Sequence, residues 1–254
     1  MLDAAQLAAY SEHGFTVARG LFGPQHVAAM AAEIDAFHAG EKQVGLQNHD
    51  GDPTFHQFSV LSWLAQGSAP LRAALQHPDV LAIMAQLNGP DLRWWWDQGA
   101  VKAAYHGIEF PWHQDNGYEA VDPALCTTMW VAVDATTVDN GCIWALPGSH
   151  AEGDQGHWLR PGGWHKQCYD GAETGEPVEM QPGDALIFSC QLIHRSLANT
   201  TGGKRRAYLA AYCAADVRKK GVGTTYDDNP LLLVGGRPTP EVESTWEALP
   251  AFAG

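Results

Sequence analysis

The spacing of apolar residues divides the chain into a helical first part and a β-rich second part. Apolar positions at helical spacing predict helices in three regions. They are residues 3–13, residues 24–39 with Pro24 near the start, and residues 69–88, where Pro78 separates two short helices. Between the first two regions Phe15-Thr16-Val17-Ala18 predicts a short strand, and the polar stretch 40–53 predicts a loop.

From Leu92 onward, short apolar runs alternate with Gly, Pro, Asn and Asp, which is typical of strands joined by turns. The predicted strands are residues 93–104, 124–135, 141–146, 178–180, 185–190 and 207–214. Many short strands after a helical lead favour a mainly β protein with flanking helices. We expect a double-stranded β-helix core, a cupin-like jelly roll, with helices packed on one sheet.

Length, charge and cysteine content narrow the class of protein. The 254 residues suit a single domain over 1–254, with a helical lead of about 1–90, a jelly-roll core of about 91–215 and a tail of about 216–254. A net charge of −14 argues against nucleic acid or an anionic membrane as partner. The chain shows no long apolar run and no basic leader, and its five cysteines include no short-spaced pair. We expect a cytoplasmic protein with reduced thiols, and its oligomeric state stays open.

The triplet His113-Gln114-Asp115, together with His194, holds the candidate chemistry. In a β-strand, side chains two residues apart point the same way, so His113 and Asp115 can bind one ion while Gln114 points elsewhere. Two imidazoles and one carboxylate leave the remaining positions of an octahedral ion open, as in non-heme Fe(II) oxygenases. A structural zinc site would be closed by four ligands. We therefore predict an iron site, against the alternative of three polar residues without a metal.

The neighbours of these residues support the prediction. Phe110-Pro111-Trp112 is an extended lead typical of a strand start, and Ser196 shares a strand face with the distal histidine. The turn-like residues 199–203 lead into Arg205, Arg206 and an apolar strand. This arrangement positions a guanidinium across a hairpin from the metal. Arg206 is the rival of Arg205 for that place, because neighbouring side chains face opposite sides.

These motifs make the chain resemble the phytanoyl-CoA dioxygenase family of Fe(II)/2-oxoglutarate-dependent oxygenases. The matching pieces are Glu12-His13-Gly14-Phe15-Thr16-Val17, Leu21-Phe22, Pro111-Trp112-His113-Gln114-Asp115, Trp130-Val131-Ala132-Val133-Asp134, Asn140-Gly141-Cys142, Pro147-Gly148-Ser149-His150, and His194 through Arg205-Arg206. They cover most of the chain from about residue 10 to 215. One difference is Arg195, where the family often has Gly. We expect its side chain to point away from the metal and to crowd or charge the pocket entrance.

The resemblance implies a set of cofactors and their ligands. Fe(II) would be held by the triad, 2-oxoglutarate would chelate it, and O2 would be the second cosubstrate. Arg205 matches the family arginine for the distal carboxylate, a bidentate contact that lysine cannot copy, and Ser196 would add a hydroxyl hydrogen bond. Gln98 and Lys102 share a strand face with Trp94 and Trp96, and related enzymes line the pocket with a comparable strand. Trp130 and Thr128 share a face of the next strand and would wall the cosubstrate. Core packing is the alternative for each of these strand residues.

The substrate pocket is less well specified. The candidates are aromatic and polar residues near the motifs: Trp94, Trp96, Asn116, Tyr118, Trp144 and Trp164. They favour an apolar, ring-containing small molecule such as a secondary metabolite, and the acidic balance offers no basic surface for a CoA diphosphate. Residues 151–174 predict a mobile insertion that could close over the substrate. Six of the other histidines are interpreted as structural: His49, His56, His106, His150, His157 and His165.

The implied reaction is oxidation of a substrate C–H bond, with hydroxylation expected. The same iron chemistry also leads to epimerisation, desaturation or ring closure, and these outcomes stay open. A halogenase would need a small residue in place of Asp115. The alternatives from another class are a metal-dependent cupin-like isomerase, a dioxygenase that needs no cosubstrate, and a non-catalytic binding protein. Arg205 and Ser196 would have no evident purpose in the first two, and the intact set of metal ligands disfavours the third.

Overall fold

The computed structural model describes residues 1–42, 58–105, 108–118, 120–161, 165–219 and 229–239. Its α-helices are α1 Ala4–His13, α2 Pro24–His38, α3 Ala69–Leu75 and α4 Pro78–Asn88, as the apolar spacing predicts. Asp3 caps α1 by accepting a hydrogen bond from the Gln6 N–H at 2.8 Å, and prolines begin α2 and α4. No helix within the described segments has the length and apolar character needed to cross a membrane. Most of the predicted loop 40–53 lies outside the described residues.

The strands begin near the N-terminus and continue beyond the predicted core. They are β1 Phe15–Ala18, β2 Phe58–Ser62, β3 Leu92–Lys102, β4 Phe110–His113, β5 Val121–Asp122, β6 Cys126–Ala132, β7 Ile143–Ala145, β8 Trp158–Leu159, β9 Lys166–Gln167, β10 Glu176–Val178, β11 Ala185–Ser189, β12 His194–Ser196, β13 Arg205–Ala214, β14 Arg218–Lys219, β15 Leu231–Val234 and β16 Arg237–Pro238. The apolar pattern did not predict β2 in the helical lead, because every residue of this strand is buried and its run does not alternate. The expected tail contributes β14, β15 and β16.

The strands form two main antiparallel sheets. The large sheet has the order β1-β11-β6-β13-β3-β15-β16, with β2 also paired to β3. The small sheet has the order β10-β7-β12-β4. Apolar residues of both sheets, among them Trp130 and Ala132 of β6 and Ile143 and Ala145 of β7, form one buried cluster between them. This is the expected jelly-roll core.

A second and larger apolar cluster covers the other face of the large sheet. Met30, Ile34 and Phe37 of α2 and residues of α3 and α4 pack there against residues such as Met129 and Tyr208. Each fully buried Ile or Phe side chain contributes roughly 1.5–3 kcal/mol relative to an exposed one. The helices therefore seal the outer face of the sheet and leave its inner face for the cavity between the sheets.

An extra residue in β3 decides which of its side chains reach that cavity. Ala211 of β13 pairs with Trp96, but the next residue, Tyr212, pairs with Trp94, so that Trp95 is a β-bulge. The bulge turns Trp94 towards the helices, where its ring centroid lies 5.0 Å from that of Trp63. The expectation that Trp94 shares the pocket face with Trp96 is therefore wrong.

Candidate metal centre

Two histidines and one carboxylate converge at one end of the small sheet. His113 ends β4 and pairs directly with His194, the first residue of β12. The Oδ1 atom of Asp115 lies 3.7 Å from Nε2 of His113 and 3.6 Å from Nε2 of His194. Since metal–ligand distances are about 2.0–2.2 Å, donors closer than about 4.2 Å can bind one ion. Within the described residues these are the only three His, Cys, Asp or Glu side chains grouped closely enough to hold a metal.

Asp115 reaches the centre by a different local structure from the one predicted. β4 stops at His113, and Asp115 begins a 3-10 turn that runs to Gly117. Gln114 keeps extended backbone angles (φ −114°, ψ 142°), so the side chains on either side of it still point to one face. The alternation predicted from the sequence therefore survives across the end of the strand.

Hydrogen bonds orient each of the three side chains. The Nδ1 atom of His113 lies 2.8 Å from the carbonyl of Pro111, and that of His194 lies 3.0 Å from the carbonyl of Leu192. These contacts suit Nδ1–H donors and leave the Nε2 lone pairs for a metal. The Thr128 hydroxyl donates to Oδ2 of Asp115 at 2.5 Å. The sequence predicted that Thr128 lines the cosubstrate site. In the structure its hydroxyl group is bonded to the Asp115 carboxylate instead.

Burial has opposite consequences for metal binding at His113 and at Asp115. It favours the neutral imidazole of His113, which can bind a metal, and it disfavours the ionised carboxylate of Asp115, which is also the form that binds a metal. Desolvation and the neighbouring His194 hold the pKa of His113 well below its usual range, so the imidazole is neutral and can bind a metal. Desolvation raises the pKa of Asp115, while His194 and the Thr128 hydroxyl act in the opposite direction. A divalent cation would offset the cost of ionising this buried carboxyl group.

A cavity leads from His113, Asp115 and His194 along the inner face of the large sheet. It is lined by Phe58, Val60, Trp96, Gln98, Ala100, Phe110, His113, Asp115, Trp130, Ile143, His194, Arg195, Ser196, Arg205 and Leu209. The predicted residues Gln98, Ser196, Trp130 and Trp96 are thus brought together around it. Phe58 and Val60 come from β2, which no sequence signal distinguished from an ordinary core segment.

Arg205 is the buried cation of this cavity. Its side chain is 1% exposed, and its Nη2 donates to the carbonyl of Gly141 at 3.1 Å. The Nε and Nη1 atoms have no hydrogen-bond partner within the described structure. Burial lowers the pKa of Arg205 to about 10, so the group is charged at neutral pH, and its Cζ lies 5.3 Å from the Trp130 ring centroid. A buried charge with unmet donors fits an anionic ligand such as a carboxylate.

Lys102 pairs with Arg205 in the sheet, but its ammonium group is hydrogen-bonded to backbone carbonyls and not to the cavity. Its ammonium group donates to the carbonyl of Ile108 at 2.7 Å, to that of Ser196 at 3.1 Å and to that of Leu197. These three bonds match the three N–H donors of a protonated lysine. The structure therefore shows Lys102 tying β3 to the end of β12, with no donor left for the cavity.

Two of the predicted substrate residues lie away from the cavity. Asn116 is buried, and its side chain bonds to the backbone of Val121 and to Asp154. Trp144 lies on the outer face of the small sheet, because only its neighbours in β7 point inwards. Tyr118 lies next to the metal ligands instead, with its ring centroid 5.7 Å from that of His113. Trp164 lies outside the described residues.

Arg195 also lies on the outer face of the small sheet. Its Cζ stands 4.4 Å from the Trp112 ring centroid and 5.7 Å from that of Trp144, and its Nη2 donates weakly to the carbonyl of Thr174 at 3.4 Å. The side chain points away from the metal ligands, as expected. Its guanidinium stacks on the two indoles there, and Arg195 is also one of the residues that line the cavity.

His165, which was interpreted as structural from the sequence, lies near the candidate metal centre in the fold. His165 is 8% exposed, and its ring centroid lies 4.6 Å from that of Phe110, which itself lies 4.4 Å from that of His113. It precedes β9, in the hairpin formed with β8. No ligand spacing in the sequence indicates this position, because the hairpin folds back onto β4 only in three dimensions.

The sequence matches known proteins over most of its length. A family model described as "Phytanoyl-CoA dioxygenase (PhyH)" matches residues 10–207. "Phytanoyl-CoA dioxygenase 1" of Oryza sativa subsp. japonica is 31% identical over 170 residues, which cover 65% of this chain and 54% of the rice protein. "Phytanoyl-CoA dioxygenase, peroxisomal" of Mus musculus is 25% identical over 259 residues, covering 90% of this chain and 73% of the mouse protein. The chain spans about half the length of the rice relative and of a similar Arabidopsis thaliana relative.

The fold is shared with solved structures at low sequence identity. The epimerase SnoN, solved in complex with Fe3+, alpha ketoglutarate and nogalamycin RO, superposes with a TM-score of 0.72 at 22% identity, over 89% of this chain and 97% of that one. The non-heme monooxygenase ThoJ superposes with a TM-score of 0.72 at 20% identity, over 95% and 93% of the two chains. With the family model matched over residues 10–207, the chain belongs to the phytanoyl-CoA dioxygenase family.

Proposed function

We propose that this protein is an Fe(II)- and 2-oxoglutarate-dependent oxygenase that oxidises a C–H bond of a small molecule, with hydroxylation as the expected outcome. One observation carries the proposal: a buried set of two histidines and one carboxylate shares a cavity with a buried guanidinium that has unmet donors. The first group suits a metal with open positions, and the second suits a carboxylate.

His113, Asp115 and His194 would hold the iron. Their donor set of two imidazoles and one carboxylate is that of non-heme iron oxygenases, and it leaves other positions of the ion open for a cosubstrate. When bound, iron and 2-oxoglutarate together supply the activation of O2 and the oxidising power for the substrate. The task of the chain is to fix the geometry of the ligands and to keep the reacting groups out of water.

Arg205 would bind the distal carboxylate of 2-oxoglutarate. The cavity joins the metal ligands to this guanidinium, and Ser196 and Trp130 line the space between the two sheets. Ser196 would add a hydroxyl hydrogen bond to the same carboxylate, and Trp130 would pack against the carbon chain. The surrounding apolar walls lower the local polarity, which strengthens the attraction between the guanidinium and the carboxylate.

The substrate would be an apolar, ring-containing small molecule. The cavity is lined largely by apolar and aromatic side chains such as Phe58, Trp96, Phe110 and Leu209. The chain has a net charge of −14, which does not favour the diphosphate of a CoA thioester. A role in secondary metabolism agrees with this pocket, and a cytoplasmic location agrees with five free, buried cysteines.

Other outcomes of the same iron chemistry form the second candidate. Two solved structures of this fold are the epimerase SnoN and the carbocyclase SnoK, both from nogalamycin biosynthesis. Epimerisation, desaturation and ring closure each begin with removal of a substrate hydrogen, so the same ligands would serve them. A metal-dependent isomerase is less favoured because it does not explain the unmet donors of Arg205, and a binding protein is less favoured because the set of metal ligands is intact.

Detection of succinate tests the proposal. The purified chain is incubated with Fe(II), 2-oxoglutarate and O2 in the presence of pooled candidate metabolites, and succinate and product masses are measured together. We expect succinate to form only when iron and 2-oxoglutarate are both present, with product masses separating hydroxylation (+16) from desaturation (−2) and from epimerisation (no change). A metal-dependent product without succinate would instead support the isomerase alternative.

A further inference from the structure

Gln114, the residue between two of the proposed metal ligands, has a side chain that forms three hydrogen bonds to distant parts of the chain. It is fully buried, and its amide bonds to Gly153, Gln155 and Gln191. Its Nε2 donates to the carbonyl of Gly153 at 2.9 Å and to that of Gln191 at 2.7 Å, and its Oε1 accepts from the N–H of Gln155 at 2.7 Å. Both donors of the amide are therefore used, and its oxygen is satisfied as well.

The partners of Gln114 belong to two separate parts of the chain. Gly153 and Gln155 lie in the segment 153–157, which we call the strap; it leads into the β8–β9 hairpin. Gln191 lies in the turn between β11 and β12, three residues before His194. A single amide thus connects the segment that carries His113 and Asp115, the turn that leads to the third ligand, and the strap.

Other contacts join the same three parts. The side chain of Asn116 donates to Oδ1 of Asp154 at 2.8 Å, and the side chain of Gln191 donates to the same oxygen at 2.9 Å. The backbone N–H of Gln114 donates to Nε2 of His157 at 3.1 Å. Gln114 precedes the proposed ligand Asp115 and Asn116 follows it. The strap is therefore hydrogen-bonded to the chain immediately before and immediately after this carboxylate.

This network accounts for how a short strand end can hold two ligands in place. β4 stops at His113, so no strand pairing fixes Asp115. Polar groups behind metal ligands orient them, and their loss typically weakens metal affinity 10- to 100-fold. The first part of the insertion expected to be mobile is thus held at the back of the metal ligands by Gln114, Asn116 and Gln191.

We propose that Gln114 is a positioning residue for iron, acting through the strap to hold Asp115 and His194 at the spacing that one ion requires. The inference rests on the proposed function, because it takes Fe(II) as the ion. Gln114 would not touch the metal or the substrate. It would instead set the affinity for iron and connect the metal centre to the base of the hairpin that carries His165.

The test compares Gln114→Met with a matched control, Gln167→Met. Gln167 lies in β9, is half-buried, and donates one hydrogen bond to the carbonyl of Tyr169 at 2.8 Å, away from the strap. Anaerobic titration with Fe(II) alone gives the dissociation constant, and thermal unfolding with and without Fe(II) gives the stabilisation by metal. We expect a 10- to 100-fold weaker Kd and a smaller iron-induced rise in Tm for Gln114→Met, and a change below twofold for the control.

A merely structural role predicts a different pattern. It would lower the Tm of the metal-free protein in Gln114→Met while leaving the Fe(II) Kd unchanged, and this result would overturn the inference. So would an equal loss of affinity in the control. If Gln114→Met does not fold, Asp154→Ala decides, because Asp154 is exposed and accepts from both Asn116 and Gln191. We expect at least threefold weaker iron binding in that variant, and an unchanged Kd would refute the proposal.

The two hypotheses fail separately in this experiment. A wild-type protein that binds no Fe(II) would remove the proposed function itself. A wild-type protein that binds Fe(II), with variants of equal affinity, would remove only the role of Gln114.

Discussion

The inner and outer faces of the large sheet are both sheltered from water, but they differ in how their polar groups are satisfied. On the outer face the guanidinium of Arg206 contacts two carboxylates, those of Asp134 and Asp35, at 2.7–2.9 Å. On the inner face the adjacent Arg205 is more deeply buried, yet two of its nitrogens lack a partner within the described structure. Burial alone therefore does not distinguish a functional residue; unmet hydrogen-bonding capacity in a cavity does.

The largest expected effect comes from removing a metal ligand on the inner side. His113→Ala or His194→Ala should abolish Fe(II) binding and turnover, because the remaining two donors cannot hold the ion. His150→Ala is the control, since His150 contacts the carbonyl of Ser11 at 3.3 Å and lies outside the triad. Iron content per chain after anaerobic loading measures the effect. Full occupancy in either ligand variant would show that the triad is not the metal site.

The paired arginines test the comparison directly. Arg205→Ala should raise the 2-oxoglutarate KM about 30-fold to several-thousand-fold, because losing one partner of a desolvated charge pair costs about 2–5 kcal/mol. Arg206→Ala should leave this KM nearly unchanged and lower stability instead, since its partners are Asp134 and Asp35. The measurement is succinate formation against 2-oxoglutarate concentration with iron saturating. The reverse ranking would mean that the two faces of β13 have been exchanged.

Two neighbouring threonines of β6 also compare the inner and outer faces of the sheet, with smaller expected effects than the two arginines. Thr128 supports Asp115 on the inner face, whereas the Thr127 hydroxyl contacts Tyr10 and Asn88 on the outer one. Thr128→Val should weaken Fe(II) binding roughly 10- to 100-fold, as expected for a group that orients a ligand. Thr127→Val should leave iron affinity intact and destabilise the fold by about 1–3 kcal/mol. Fe(II) titration together with urea unfolding separates the two effects.

The outer face contains one buried carboxyl group whose contribution depends on pH. Burial raises the pKa of Asp97 to about 7, against hydrogen bonds from Ala65 and Tyr208. The folded protein therefore keeps this proton up to about pH 7, while the unfolded chain releases it near pH 4. The free energy of unfolding should fall as pH rises between these values, by about 3–5 kcal/mol at most from this group.

The variant Asp97→Asn should lose that pH dependence. Urea unfolding of both proteins at pH 5 and pH 8 measures it, and the wild type should show the larger decrease. The Fe(II) Kd should stay within about twofold in the variant, because Asp97 faces the helices. Equal pH slopes for the two proteins would show that the carboxyl group is already ionised in the folded state.

Local periodicity predicted much of the fold, because helices and alternating strands depend on neighbouring residues. The helices at Pro24 and Pro78 and the strand Phe15–Ala18 follow from such patterns. The strand Phe58–Ser62 does not, since a run buried on both faces has no alternation. The bulge at Trp95 also escaped prediction, because it depends on how β3 pairs with a strand more than a hundred residues later.

The candidate site divides in the same way. By itself, the sequence predicted the candidate triad of metal ligands, the placement of Arg205 and Arg206 on opposite faces of one strand, and the family, because these depend on residue type and on the two-residue period of extended chain. Only the tertiary structure decided that Lys102 is occupied by three carbonyls, that Trp144 and Arg195 face outwards, and that Gln114 holds the strap. Those facts depend on contacts between side chains from distant segments of the chain. The local spacing of apolar and polar residues does not predict such long-range contacts.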